Sequence, residues 1–163
     1  MESLIALALE RRPSIAQIWS WLKAMPGGGR VFFKLIGQIA PYTGTIDGEV
    51  RSLETGRAEV VLFDQRGSRN HLNSLHAIAL MNLGEVVTGL TMLYVVDGVG
   101  RGIITTLKMD YMKKARGPIT ATCEANIPTR QGRHDVTLEA LLRDESGDVV
   151  AKATAIWRVT IGK

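Results

Sequence analysis

The sequence predicts an α+β fold, a curved antiparallel sheet of about six strands wrapped around one long central helix, with N-terminal helical segments packed outside it. Three observations point there. The run from Leu75 to Val96 is apolar nearly all round, so a helix in it must be covered on every side. Strand-like stretches flank that run, two before it and four after. The 163 residues, 45% of them hydrophobic, suffice for one domain with a sizeable core and leave little room for a second.

Residues 1–41 read as a helical cover and residues 42–163 as the sheet-and-helix domain. Residues 1–12 carry an acid near their start and two arginines after an apolar run, the reverse of a secretory signal, so a cytoplasmic protein is expected. Ser14 suits the N-cap of a segment whose Ile15, Ile18, Trp19 and Leu22 share a stripe. After the break at Pro26-Gly27-Gly28-Gly29, a second stripe joins Phe32, Leu35, Ile36 and Ile39. From Tyr42 the pattern turns to β. Thr43 to Glu54 and Arg57 to Gln65 form a hairpin about Thr55-Gly56, with Ala58, Val60 and Leu62 alternating against Glu59, Val61 and Phe63.

Beyond the helix, strands are expected at Arg101 to Lys113, Pro118 to Pro128, Arg133 to Asp144 and Asp148 to Ile161, the last two joined at Glu145-Ser146-Gly147. In the last of them Val149, Ala151, Ala153, Ala155, Trp157 and Val159 share one face, and Lys152, Thr154, Arg158 and Thr160 the other. A strongly curved antiparallel sheet can enclose most of a helix, which is the hotdog arrangement.

Several function classes are set aside by composition. The apolar run is long enough to span a bilayer, but Glu85 would sit near its middle at a cost of roughly 2.5–3.5 kcal/mol, with Asn82 adding to it. A buried core helix and no membrane partner are therefore expected. The net charge of +4 is scattered and suits a small anionic ligand. No stripe of arginines interleaved with aromatics points to nucleic acid. The lone Cys123 excludes an internal disulfide and reads as a small buried hydrophobe. No metal-ligand spacing is present and no cofactor is expected. Gly98-Val99-Gly100-Arg101-Gly102 precedes a strand rather than opening a helix, so it reads as a turn and not a phosphate loop. His71 and His134 read as surface or loop residues.

The chemistry concentrates where the helix begins. The stretch Asn70-His71-Leu72-Asn73-Ser74-Leu75-His76-Ala77, with Glu85 nine residues after His76, resembles the Asn-x-x-Gly-x-x-His-Gly-Gly lead-in and helix carboxylate of the phenylacetate-pathway type of hotdog acyl-CoA thioesterase. Met109-Asp110-Tyr111-Met112-Lys113-Lys114-Ala115 resembles that family's strand after the helix, and the resemblance runs from about Tyr42 onward. Asn73 stands where the family has glycine, and Ala77-Ile78 where it has the Gly-Gly pair that lets ligand and backbone approach closely, so Asn73 and Ile78 bear on the acyl group accepted. The resemblance implies a serine or threonine on the following strand that helps hold the attacking water, a role for which Thr105 and Thr106 are the candidates.

On physical grounds the same residues make sense. Asn73 or Ser74 is a natural N-cap, so the helix begins near His76 and presents free backbone N–H groups where the macrodipole favours negative charge. The Ala77 N–H is placed to stabilise a thioester oxygen as it gains charge. Asn70 can orient the water or the carboxylate, and Glu85 suits a general base or a nucleophile that forms a transient anhydride. Lys114 and Arg116, with Lys113, Arg130 and Arg133, can meet the phosphates of coenzyme A or simply form a solvated basic rim. The plain alternatives are that Glu85 pairs with an arginine such as Arg101, and that His76 only caps the helix.

Ala77 and Glu85 are eight residues apart, roughly 12 Å along a helix axis, so one helix cannot aim both at one carbonyl. Two antiparallel helices about a twofold axis can, which predicts a homodimer with two shared sites, or a dimer of dimers. The expected function is hydrolysis of an acyl-CoA thioester. The alternatives are a non-catalytic acyl-CoA-binding hotdog protein and a hotdog dehydratase using His76 with Glu85.

Overall fold

The computed structural model describes residues 13–162, so the reading of residues 1–12 lies outside the described residues. Two helices come first, α1 (Ile15–Leu22) and α2 (Gly28–Ile39), then the hairpin β1 (Gly48–Glu54) and β2 (Arg57–Leu62). The central helix α3 (Ala77–Val96) follows, and then β3 (Gly100–Tyr111), β4 (Ile119–Glu124), β5 (Gly132–Arg143) and β6 (Val149–Ile161). All six strands form one antiparallel sheet in the order β1-β2-β4-β5-β6-β3, so the passage through α3 carries the chain from one side of the sheet to its far edge. The arrangement is the hotdog fold.

Alternation puts a small and apolar face against the helix. Ala151, Ala153, Ala155, Trp157 and Val159 of β6 are buried, as are Leu138, Ala140 and Leu142 of β5 and Ala58, Val60 and Leu62 of β2. From α3, Leu80, Leu83, Val87, Leu90 and Met92 fill the same core. Close approach is built in at Gly84, where an added Cβ would stand 2.7 Å from that of Ala153. Thr88 and Thr91 are fully buried yet satisfied, bonding the carbonyls of Gly84 (3.0 Å) and Val87 (2.8 Å), and the Trp157 indole donates to the Thr88 hydroxyl at 3.2 Å. The helix is long and apolar enough to cross a membrane, but 67% of that stretch is buried inside the fold.

Several expected boundaries move for local reasons. Thr43–Thr45 is a turn of 3-10 helix in which the N–H and hydroxyl of Thr45 both bond the Tyr42 carbonyl, at 3.0 and 2.6 Å, so β1 starts at Gly48 rather than Thr43. β2 ends at Leu62 instead of Gln65, and β3 at Tyr111 instead of Lys113. β4 is shorter than Pro118 to Pro128 because its partner β2 begins at Arg57, opposite Glu124. Ser14 does cap α1, in a full capping box with Gln17. In α2 the buried side is Phe32 and Phe33 with Ile36, whereas Leu35 and Ile39, expected on that stripe, face outward, Ile39 being 82% exposed. Trp19 packs edge-on against Phe32 with ring centres 5.2 Å apart, and the Ile15 N–H donates to Asp97 at 2.6 Å, which ties α1 to the end of α3.

Candidate active site

The loop from Asp64 to His76 is laced tightly enough to fix where α3 begins. Asp64 accepts from Arg69 Nε at 2.7 Å and from the Gly117 N–H at 2.8 Å, holding the loop against the start of β4. The Asn70 carboxamide oxygen accepts from the N–H groups of Leu72 (2.9 Å) and Ser74 (3.3 Å) and from the Ser74 hydroxyl (3.2 Å), an Asx-type turn. Asn73 takes the left-handed conformation, φ 54°, the only non-glycine to do so among the described residues. The N–H of Leu75 then reaches Ala115 and that of His76 reaches Ser68, at 2.8 and 2.7 Å.

The cap is two or three residues later than expected. His76, not Asn73 or Ser74, is the N-cap, its Nδ1 accepting from the Ile78 N–H at 3.1 Å. Asn73 and Ser74 are used up in making the turn that delivers it. An Nδ1 that accepts leaves the imidazole proton on Nε2, so the exposed edge of the ring is a donor. The Ala77 N–H meets no acceptor among the described residues. Across from it, Tyr111 at the end of β3 donates to the Ala77 carbonyl at 2.8 Å, and partial burial pushes its phenol above the ordinary value. Tyr111 was not legible as a site residue, because its reach to the helix end joins positions 34 residues apart in the chain.

Asn70, Asn73, His76, Ala77 and Ile78 thus converge, joined by Arg116, whose Nε donates to the Asn73 carbonyl at 3.3 Å. Ile78 is 48% exposed beside this end of the helix. Glu85 lies two turns on, half-buried, and its carboxylate has neither an ion pair nor a hydrogen bond among the described residues, so the pairing with Arg101 does not occur. Thr105 and Thr106 sit at a bulge in β3, exposed, with the Thr105 hydroxyl on the Ile156 carbonyl at 3.1 Å, away from this chain's own Ala77. Lys114 is exposed near Arg116.

The basic group divides in two. Lys113 is held by Asp144 and Asp148 at 2.7 and 2.6 Å beside the start of β6. Arg133 lies opposite Thr160, ten residues further along that strand, so it is separated from Lys113 by roughly 33 Å of strand length. Beside the first turns of α3 a cleft of about 190 Å³ opens, lined by Tyr42, Ser68, His76, Ile78, Ala79 and Asn82 among others.

Residues 28–159 match the model of a family described as a domain of unknown function, DUF4442. No curated protein matches the chain in sequence. Among solved structures, the chain is similar to a probable thioesterase from Pseudomonas aeruginosa at 22% identity and a TM-score of 0.70, covering 79% of this chain and 93% of that one. It is similar to thioesterase superfamily member 2 of zebrafish at 18% identity and a TM-score of 0.66, over 79% and 94%. A phenylacetic acid degradation-related protein from Ralstonia eutropha is similar at 19% identity and a TM-score of 0.63, over 72% and 89%. These likenesses establish a fold shared with thioesterases.

Proposed function

The chain belongs to the DUF4442 family, and from that footing we propose that it is an acyl-CoA thioesterase that works as a homodimer or a dimer of dimers. The observation that carries this reading is the start of α3, where a capped helix end leaves the Ala77 N–H without an acceptor among the described residues. Eight residues on, the same helix bears Glu85, whose carboxylate has no partner among the described residues. The unpaired edge of β3 supports the assembly, because antiparallel pairing of two β3 strands sets the Arg101 end of one against the Tyr111 end of the other and lays two α3 helices side by side in opposite directions.

In such a dimer the thioester carbonyl rests against the Ala77 N–H of one protomer while Glu85 of the partner subunit stands beside the carbon. Attack by water forms the new C–O bond, the carbonyl oxygen takes up negative charge at the helix end, and the C–S bond then breaks to release coenzyme A. Glu85 takes the proton from water and returns it to the leaving sulfur, or attacks directly to form an anhydride that water opens. Because the Asn70 oxygen is spent within its loop, its Nδ2 is the atom left to orient water or carboxylate. The Nε2–H of His76 adds a second donor near the oxygen. Thr105 and Thr106 reach the partner's site across the β3 edge, and Lys114 and Arg116 receive phosphate.

A panel of short, medium, long and aromatic acyl-CoAs, assayed for free thiol, tests this. Hydrolysis of at least one member that falls by about a hundredfold or more in Glu85→Gln is the expected result. Tight binding of coenzyme A esters with no thiol release would support a non-catalytic binder instead. A dehydratase is disfavoured, since the His76 Nδ1 accepts the capping bond from the Ile78 N–H, which leaves Nε2 a donor and not a base.

A further inference from the structure

We infer that the cleft beside the first turns of α3 is the acyl pocket and that Asn82 makes it selective for short acyl groups carrying a hydroxyl, an inference that rests on the thioesterase reading above. Size is the first ground. At about 190 Å³ the cleft is only a little larger than an engineered cavity of about 150 Å³ that admits benzene, so it takes roughly six heavy atoms and not a long chain. Position is the second. His76, Ile78 and Ala79 line it, which puts it against the helix end where the thioester carbonyl is to rest.

Asn82 is the third and decisive ground. It is 4% exposed, on a helix whose other buried polar side chains, Thr88 and Thr91, are bonded to backbone carbonyls, and it lines the cleft. Its Nδ2 donates to the Tyr42 carbonyl at 3.1 Å, which fixes which way the carboxamide faces. Its Oδ1 then has no donor, alone in this among the buried side-chain polar atoms of the described residues. A buried acceptor left unpaired favours any ligand that brings it a proton and discriminates against the analogue that brings a methylene.

The remaining walls narrow the chemistry. Arg69 lines the cleft and, among the described residues, no carboxylate does, which disfavours an ammonium, while a carboxylate would meet the Asn82 oxygen with like charge. A neutral hydroxyl suits both walls: it donates to Asn82, and it can accept from the hydroxyl of Ser68, which is 8% exposed and makes no side-chain hydrogen bond among the described residues. Asn82 lies five residues beyond Ala77, roughly 7.5 Å along the axis, and helix side chains lean back toward the N-terminus. That spacing matches a hydroxyl on the third or fourth carbon counted from the thioester.

Matched pairs decide the matter: butanoyl-CoA against its 3-hydroxy and 4-hydroxy derivatives, and hexanoyl-CoA against 3-hydroxyhexanoyl-CoA. The expected result is that kcat/KM favours at least one hydroxylated member over its plain partner by about tenfold or more, and that Asn82→Leu brings that ratio near one. Equal or poorer turnover of every hydroxylated member overturns the assignment while leaving the thioesterase reading intact. If no ester in the panel is hydrolysed, the thioesterase reading fails, and calorimetric binding of the same pairs judges the pocket alone: tighter binding of a hydroxylated member by about tenfold upholds the hydroxyl preference, and equal binding overturns it. Should Asn82→Leu not fold, the wild-type ratios alone uphold or overturn the assignment.

Discussion

Asn73 holds a backbone angle that only glycine, asparagine and a few others adopt without strain, and it does so where the chain must reverse to bring His76 onto the end of α3. Its side chain adds a bond from Arg69 Nη1 at 3.1 Å. Asn73→Gly should therefore change stability by less than about 1 kcal/mol, whereas Asn73→Val should cost about 2 kcal/mol or more, read from urea unfolding. The glycine expected there by resemblance and the asparagine present answer the same conformational demand. Cys123 is buried against the core, and desolvation pushes its thiol up to about 11. The native protein at pH 8 should accordingly give no reaction with an aromatic disulfide reagent over an hour, and one equivalent per chain once unfolded. Rapid native labelling would show the thiol is reachable. Asn82 was visible in the sequence as a polar interruption of an apolar run, but whether its oxygen finds a donor depends on the Tyr42 carbonyl, forty residues away in the chain, which no local pattern reveals.

Within α3, residue choice follows the sheet and not helix propensity. Gly84 is a poor helix former, yet its missing side chain is what lets the helix lie against Ala153. Gly84→Ala should gain a few tenths of a kcal/mol of propensity and lose about 1–3 kcal/mol to overpacking, a net loss that thermal melting would show. A rise in Tm would mean the two elements separate more easily than their contact implies. At the β5–β6 turn, the Lys113 ammonium holds the Asp144 carboxyl below the usual carboxylate value, and the two carboxylates hold Lys113 above its own. The Asp144 contribution is then present above about pH 3.8 and lost as pH falls below it, while that of Lys113 is present below about pH 10.5 and lost as pH rises beyond it. Melts of Lys113→Met should thus fall slightly below wild type at pH 7 and converge with it as acid protonates Asp144. Element type was legible because alternation along β6 and the all-round apolar run are long, strong patterns. Element ends were not, since β2 sets where β4 stops and the Asn70 turn sets where α3 is capped.

At the scale of the whole molecule, sharing of the site makes a prediction that a single-chain site does not. Glu85→Ala and Asn70→Ala should each abolish most hydrolysis while leaving the dimer folded, and mixing the two under subunit exchange should restore activity. In a mixed dimer one site carries both substitutions and the other neither, so random pairing leaves roughly a quarter of all sites intact. A mixture that stays dead, with exchange shown by differential labelling, would refute the cross-subunit pairing of these residues. The helix-and-sheet arrangement could be read from pattern alone, but the far-edge position of β3 could not, because strand order depends on pairings distant in sequence. That position also governs how the chain comes to be folded. Among the described residues β3 pairs within the sheet only with β6, with Arg101 opposite Thr160 and Tyr111 opposite Ala151, separations of 40 to 59 residues. Synthesis at roughly 5–20 residues per second leaves about 3–13 s between the emergence of Val96 and that of Ile161. Throughout that interval the most apolar segment of the protein has only the β1–β2 hairpin and the strands already emerged to lie against, so its escape from aggregation is a matter of timing and of whatever shields nascent chains, not of native stability.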